Sequence, residues 1–159
     1  EKLTPREHFM EQFEPTQLIA EAGSLSESIQ QIEANEDETI LVRTKSCEFL
    51  LQIDGARLVF DTVIDTRITA HRERILGALL TYNAVWQDTG HVRMALSGIG
   101  PEAEVMMIAD ILLDDQFTAS HVAHVVDDLE AKVEIWRDII ASGADDRSEL
   151  NNHEKFVRV

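Results

Sequence analysis

Cysteine is almost absent from this chain, which has a single thiol, Cys47, among its 159 residues. Because one cysteine cannot form a disulfide within the chain, its use favours a reducing compartment. Long apolar runs are absent as well, since no stretch approaches the roughly 20 residues that a membrane-spanning helix needs. The first residues, Glu1 to Glu7, do not resemble a signal peptide. We therefore expect a cytoplasmic protein that has no membrane partner.

Basic residues are scarce relative to acidic ones. The sequence has 14 lysines and arginines against 30 aspartates and glutamates, which gives a formal net charge of −16. A surface this negative repels nucleic acid and anionic lipid, so we expect neither as a partner. The charge suits a protein partner with basic stretches, and it also provides high solubility without any partner.

The sequence also lacks the linear motifs of common enzymes. It contains no Walker motif, no nucleophile elbow and no repeat of zinc ligands. Gly98-Ile99-Gly100 is too short for a phosphate-binding loop, and the pattern after it is a strand rather than the helix that a dinucleotide fingerprint requires. We therefore expect no cofactor, no catalytic residue and no enzymatic activity.

The residues that could carry metal or redox chemistry have simpler interpretations. His121 and His124 share a helix face and could chelate, but no third histidine or cysteine is nearby in the sequence, so we expect no metal site. Cys47 lies on the apolar side of an alternating pattern, which is typical of a buried small hydrophobe. The acidic pairs Asp114-Asp115 and Asp127-Asp128 are expected to be solvated, because adjacent carboxylates on a helix point apart.

The region from Cys47 to Ile64 predicts a β-hairpin. Inward-facing residues alternate with outward-facing ones, as in strands that bury one face. Asp54-Gly55 lies between the two halves and is typical of a two-residue turn in which both central residues have positive φ. The predicted inward positions are Cys47, Phe49, Leu51, Ile53, Leu58, Phe60, Thr62 and Ile64.

Three helical stretches are predicted from capping residues and from apolar residues at helical spacing. Residues 24–38 fit either a helix or a short strand around Ile29 to Ile32. The start and stop residues are Thr4-Pro5, Glu14-Pro15 and Gly23 for the first stretch, Thr66 or Thr69 and Gly90 for the second, and Thr118 and Gly143 for the third. The third stretch has the most regular apolar stripe, formed by Val122, Val125, Val126, Leu129, Val133, Trp136 and Ile140.

The run from Ala103 to Leu113 predicts a strand with two unlike faces. One face is apolar throughout, with Val105, Met107, Ala109, Ile111 and Leu113. The other face mixes Met106, Ile108 and Leu112 with Glu104 and Asp110. Adaptable methionine suits a surface that accepts an extended segment of variable sequence. The sequence leaves two interpretations open, a client-binding surface and a face that packs against the amino-terminal helix.

Together these patterns predict an α+β fold. We expect a twisted antiparallel sheet with helices packed on one face, in the order α-βββ-α-ββ-α. Residues 1–143 are expected to form a single domain, and residues 144–159 a polar carboxy-terminal tail.

The segment from Arg74 to Trp86 resembles the middle helix of small bacterial type III secretion chaperones of the Tir-chaperone kind. In that family a Leu-Leu-x-x-Asn helix leads through a glycine turn into two strands, which correspond here to His91 to Ser97 and Ala103 to Leu113. The stretch from Phe117 to Arg137 is similar to the family's last helix. The resemblance covers residues 40–140.

A second group with the same fold is also similar. The YbjN-type proteins, which are implicated in regulation, resemble this chain in Leu113-Asp114-Asp115-Gln116-Phe117-Thr118. This resemblance leaves a regulatory protein without an export role as the alternative function.

The resemblance to the secretion chaperones implies a dimeric, cofactor-free cytoplasmic protein that holds an extended segment of a client protein. Such binding combines strand addition at a sheet edge with insertion of client side chains into apolar grooves. We expect the client at Met106, Ile108 and Leu112. The middle helix has apolar residues on more than one face, so we expect a homodimer interface at Tyr82, Val85 and Trp86.

Overall fold

A computed structural model describes residues 15–65, 70–85, 88–90, 92–114 and 116–143. Within these ranges the chain alternates short strands with three helices, as the predicted α+β class requires. Residues 24–38, which the sequence left undecided, contain a strand. The elements are α1 (Pro15–Ala22), β1 (Ile29–Ala34), β2 (Ile40–Thr44), β3 (Glu48–Asp54), β4 (Arg57–Asp65), α2 (Arg72–Ala84), β5 (Arg93–Leu96), β6 (Val105–Leu112) and α3 (Ala119–Ala141).

The six strands form one antiparallel sheet in the order β1-β2-β3-β4-β6-β5. Consecutive strands are neighbours from β1 to β4, as in a meander of hairpins. The chain then passes through α2, and β6 returns to pair beside β4 while β5 lies at the edge. This arrangement confirms the predicted fold class and element order, with β1 added from the undecided stretch.

The described residues divide into two compact units. One lies within Glu1–Val59 and Ile111–Glu130, and the other lies within Phe60–Asp110 and Ala131–Val159. Strands β4 and β6 and helix α3 each contribute residues to both units. The expected single domain over residues 1–143 stays a prediction, and the expected tail lies outside the described residues.

In the first unit, the core forms from strand residues that alternate between a buried and an outward position. In β2 the first, third and fifth residues are buried, and in β3 Phe49 and Leu51 are buried. Helix α1 adds Ile19 and Ala22, and it ends before Gly23 as predicted. The buried residues of α3 in this unit include Val122, Val126 and Leu129.

The hairpin between β3 and β4 is present, but its turn lies one residue later than predicted. Asp54 remains in β3, and the two turn residues are Gly55 and Ala56. Gly55 has a φ of 61°, a left-handed backbone conformation that glycine adopts more readily than any other residue. A hairpin turn with positive φ at its first central residue accepts glycine there and alanine next, so Asp54 is free to extend the strand.

In the second unit, β4 and α2 supply much of the buried surface. Phe60, Thr62 and Ile64 are buried, as the alternation predicted. Helix α2 begins at Arg72, with His71 as its N-cap residue, and the predicted caps Thr66 and Thr69 lie outside the described residues. The helix ends at Ala84 rather than near Gly90, because the Val85 N–H turns back to the Tyr82 carbonyl.

Helix α3 matches its prediction at both ends. The Thr118 hydroxyl accepts a hydrogen bond from the His121 N–H at 3.1 Å, which is the geometry of an N-cap. Gly143 follows the helix with a φ of 66°, as a left-handed stop residue does. Six residues of the predicted stripe are buried, namely Val122, Val126, Leu129, Val133, Trp136 and Ile140.

None of the helices in the described ranges combines the length and the apolar character that crossing a membrane requires.

Candidate functional site

The two faces of β6 differ in exposure although both are rich in apolar residues. Val105, Met107 and Ala109 are buried, as predicted for the inner face. On the opposite face, Met106 and Ile108 are half-buried and Leu112 is 48% exposed. This outer face therefore keeps apolar surface that the described part of the chain covers only in part.

The residues of β5 that lie beside this outer face differ in polarity. Met106 is opposite Ala95, and Ile108 is opposite Arg93 in the antiparallel register. An Arg93 guanidinium nitrogen lies 3.0 Å from the Asp110 carboxylate, and that aspartate side chain is only 9% exposed. The apolar residues are thus bordered by an ion pair, a mixture that is more typical of an interface than of a core.

The outer side of β4 in the second unit carries a carboxylate that sequence reasoning missed. Asp61 and Val63 are half-buried, and they alternate with buried Phe60, Thr62 and Ile64. Burial raises the pKa of the Asp61 carboxyl above its ordinary value, because a partly apolar environment disfavours the charged form. The signal was available, since Asp61 has the outward parity in the predicted hairpin.

In the first unit, a pair of leucines forms a further exposed apolar feature. Leu41 of β2 lies directly opposite Leu50 of β3, and both lie on the outward side of their strands. Leu50 is exposed and Leu41 is half-buried. The sequence pattern placed Leu50 on the outward face without assigning it a role, although Phe49-Leu50-Leu51 is apolar on both faces.

The expected dimer-interface residues have different surroundings. Tyr82 is 3% exposed, and its ring meets the Trp136 ring edge to face at a centroid distance of 5.3 Å. The assignment of Tyr82 to a second, exposed helix face is therefore corrected, because its side chain contributes to the core of the second unit. Val85 is half-buried at the end of α2, and Trp86 lies outside the described residues.

Leu80 is the exposed large apolar residue of α2, with 71% of its surface accessible. Helix geometry explains why Leu80 is exposed whereas Tyr82 is buried. At about 100° per residue, Tyr82 lies only about 60° from Leu79, whereas Leu80 lies about 100° from Leu79 on the other side. The buried face therefore includes Ile75, Leu79 and Tyr82, and Leu80 points away from it.

The residues considered for metal or redox chemistry are either buried, hydrogen-bonded or exposed on a helix surface. Cys47 is buried, and its sulfur lies 3.4 Å from the Thr44 hydroxyl oxygen. His121 and His124 are exposed on α3, and Asp127 accepts a hydrogen bond from the Ser26 hydroxyl. In the described ranges, no three side chains of metal-binding type come together. The expected absence of a metal stays a prediction.

Glu130 is a buried carboxyl of the first unit with a strongly lowered pKa, and it has a structural role. It is 8% exposed on α3, and it accepts hydrogen bonds from the Ser46 N–H at 3.0 Å and the Ser46 hydroxyl at 2.8 Å. Burial alone would raise its pKa, but hydrogen bonds from Ser28, Thr44 and Ser46 outweigh that effect and lower the pKa to about 2. Glu130 therefore remains ionised and fastens α3 to the turn between β2 and β3.

The outward side of the strands in the second unit combines apolar and acidic groups. Met106 and Ile108 offer apolar surface along β6, and Asp61 offers a half-buried acidic group on the outward side of β4, whereas Asp110 is paired with Arg93. An extended segment with alternating apolar and basic or hydrogen-bonding side chains has the periodicity that such a surface accepts.

Comparison with known proteins places the chain in a family. The sequence profile of the Tir chaperone protein (CesT) family matches residues 17–137. A comparison with curated protein sequences finds no significant match.

Two solved structures have a similar fold. A chain of the HopA1–SchA chaperone–effector complex is 14% identical and has a TM-score of 0.56, with 86% of this chain and 99% of that chain covered. A chain of the ExsC–ExsE complex is 18% identical and has a TM-score of 0.51, with 79% of this chain and 92% of that chain covered. The family profile covers most of the sequence and the folds agree; this chain belongs to the Tir chaperone protein (CesT) family.

Proposed function

We propose that this protein is a non-enzymatic, cytoplasmic type III secretion chaperone that binds an extended segment of a client protein on the outer face of β6. The observation that carries the proposal is the incomplete burial of Met106, Ile108 and Leu112 in a chain of a chaperone family. A half-exposed strand face can hold a second extended segment, because its side chains recur with the same period.

The electrostatics of the chain favour a client segment with basic residues. The formal net charge is −16, and Asp61 lies on the outward side of β4 in the second unit, whereas Asp110 is already paired with Arg93. Opposite charges steer two partners together and suppress partners of the wrong sign. The client segment is therefore expected to alternate apolar residues with lysine or arginine.

The chaperone is further proposed to act as a homodimer that pairs through α2. Leu80 is the support for this step, because a leucine that is 71% exposed on a helix favours burial against a partner. Val85, which directly follows the same helix, is half-buried and is retained in the proposed interface, together with Trp86. A two-fold contact of a helix with its own copy is the commonest closed arrangement.

Co-purification from the native cell tests client binding, with Ile108→Asp as the variant. Because Ile108 is half-buried and lies opposite Arg93, an aspartate there can reach water or pair with the guanidinium, so the variant is expected to fold. Its client is expected to be lost. Ser120→Asp is the matched control, since it adds the same charge at an exposed position of α3 and is expected to retain the client.

The identity of the co-purified protein decides between the two related functions. A partner that is exported by a type III secretion apparatus and lost only from Ile108→Asp supports the proposal. A folded Ile108→Asp variant that retains its partner contradicts the proposed site. A partner that is never exported favours the YbjN-type regulatory alternative.

Sedimentation at micromolar concentration tests the homodimer. The wild type is expected at twice the 17.9 kDa of one chain, and Leu80→Glu is expected to sediment as a monomer. Val85→Glu should weaken the dimer in the same direction, whereas Ser120→Glu should leave the mass unchanged. A wild-type mass of one chain would contradict the dimer without affecting the client-binding test.

A further inference from the structure

Strand β5 lies at one edge of the sheet and is only four residues long. An edge strand presents backbone N–H and C=O groups that can pair with another extended chain. In an antiparallel strand these groups point alternately toward the neighbouring strand and away from it. The alternation therefore decides which residues of β5 could recruit a further strand.

The hydrogen bond between Ser97 and Glu104 sets this alternation. The Ser97 N–H donates to the Glu104 carbonyl at 3.0 Å, at the beginning of the pairing between β5 and β6. Ser97, Ala95 and Arg93 therefore direct their backbone groups toward β6. Leu96 and Met94 direct theirs toward the free edge.

The outward backbone groups of Met94 are occupied by a side chain. Asn83 of α2 donates from its amide nitrogen to the Met94 carbonyl at 2.9 Å. The Asn83 amide oxygen accepts from the Met94 N–H at 2.8 Å. A carboxamide has the donor and acceptor of a peptide group, so Asn83 makes at Met94 both of the hydrogen bonds that an added strand would make.

Thr89 closes the neighbouring outward position in a similar way. Its hydroxyl donates to the Val92 carbonyl at 3.1 Å, and its own carbonyl accepts from the Val92 N–H at 3.3 Å. Thr89 is buried, so this arrangement is fixed within the second unit. Of the outward positions Val92, Met94 and Leu96, two are thus satisfied from within the chain.

We propose that Asn83 and Thr89 close the free edge of β5 and thereby prevent a second copy of this chain from extending the sheet at that edge. The inference stands apart from the proposed chaperone function, because it depends only on the hydrogen bonds that Asn83 and Thr89 make to the backbone of Met94 and Val92. It also restricts how two copies can meet in the second unit, through side chains such as Leu80 and not through the backbone of β5. The opposite edge strand, β1, is interrupted instead by an irregularity between Ile29 and Gln31.

Amide hydrogen exchange and sedimentation of Asn83→Ala test the proposal. The Met94 amide is expected to be protected in the wild type and to exchange about tenfold or more faster in the variant. Self-association beyond the wild-type state is expected as concentration rises. Thr81→Ala is the matched control, because the exposed Thr81 hydroxyl donates back to the Gly77 carbonyl of the same helix, and the variant should change neither property.

Two further variants separate edge pairing from general instability. Asn83→Asp keeps an acceptor for the Met94 N–H but loses the donor to its carbonyl, so the Met94 amide should stay protected. Leu96→Pro removes an outward N–H, which proline tolerates at an edge, and in combination with Asn83→Ala it should abolish the added association. The proposal is overturned by an unprotected Met94 amide in the wild type. It is equally overturned if Asn83→Ala folds without added association, or if its association persists in the double variant.

Discussion

The inner and outer faces of β6 have similar residues but differ in how far those residues are buried. Val105 and Met107 are completely or almost completely buried, whereas their neighbours Met106 and Ile108 keep part of their surface accessible. Burial of apolar area is the main favourable term in folding, so the inner residues contribute chiefly to stability. The outer residues contribute less to stability and remain available for a partner.

Two carboxylates, Glu130 and Asp61, differ in the direction in which the fold shifts their pKa. Glu130 is buried on α3 in the first unit, and hydrogen bonds lower its pKa to about 2. Asp61 lies on the outward side of β4 in the second unit, where burial raises its pKa. The first acid is stabilised by the fold in its charged form, and the second is destabilised in that form. Folding alone accounts for the placement of Glu130 but not for that of Asp61.

The largest effect is expected when a charge is introduced into the inner face. Met107→Asp should lower the free energy of unfolding by at least about 4 kcal/mol, because a buried carboxylate at that position cannot reach water. Urea unfolding monitored by circular dichroism measures the change. Ile108→Asp, one residue away, is the matched control and should cost no more than about 1 kcal/mol. Equal losses in both variants would mean that the faces do not differ.

A smaller loss is expected when the buried carboxylate loses its charge. Glu130→Gln should reduce the free energy of unfolding by about 2–3 kcal/mol, because the amide can no longer accept all the hydrogen bonds that the carboxylate receives. Urea unfolding at pH 7 measures the loss, and Glu134→Gln at an exposed position of the same helix should change stability by less than about 0.5 kcal/mol.

The pH dependence of stability sharpens this prediction. The pKa of Glu130 is about 2 in the folded chain against an ordinary 4.5, so its stabilisation is complete above about pH 4.5 and is lost as the pH falls toward 2. Lowering the pKa from 4.5 to about 2 corresponds to about 3 kcal/mol of stability. The wild type should therefore lose more stability than Glu130→Gln between pH 6 and pH 2.5. Parallel losses in the two proteins would contradict the assigned role.

The smallest change in stability is expected when Asp61 is replaced by asparagine. Because burial raises its folded pKa, the charged form is unfavourable above that pKa, and Asp61→Asn should stabilise the protein slightly at pH 7, by less than about 1 kcal/mol. The gain should shrink as the pH falls through the raised pKa of folded Asp61, and it should vanish below the pKa of an unfolded aspartate. Client affinity for a basic segment should fall in the same variant. Lower stability at pH 7 would contradict this reading of the outer face.

Much of the fold could be predicted because capping residues and strand alternation, which are local in sequence, mark its helix ends and buried positions. Thr118 and Gly143 bound α3 as capping chemistry requires, and alternation placed Phe60 and Met107 inward. These features depend on spacing within one element, which the sequence contains in full. The family resemblance, drawn from residues 40–140, was confirmed by the match of the family profile to residues 17–137.

Features that depend on contacts between distant elements were not predictable. Tyr82 was placed on the wrong side of α2 because its partner, Trp136, is more than fifty residues away in the sequence. The predicted start of α2 differs from the observed one because His71 precedes the helix without a side-chain cap, so no capping residue marks its beginning. The anchoring of Glu130 by Ser46 depends on how α3 meets a turn, and no local pattern reports that contact.

Methyl resonances of the outer face provide the most direct test of the central claim. The client segment identified by co-purification is added to protein labelled at its methionine and isoleucine methyl groups. The Met106 and Ile108 methyls should shift strongly, and those of Met107 and Ile75, which are buried, should shift little. Strong shifts at other sites, with Met106 and Ile108 unchanged in the bound state, would contradict client binding on the outer face of β6.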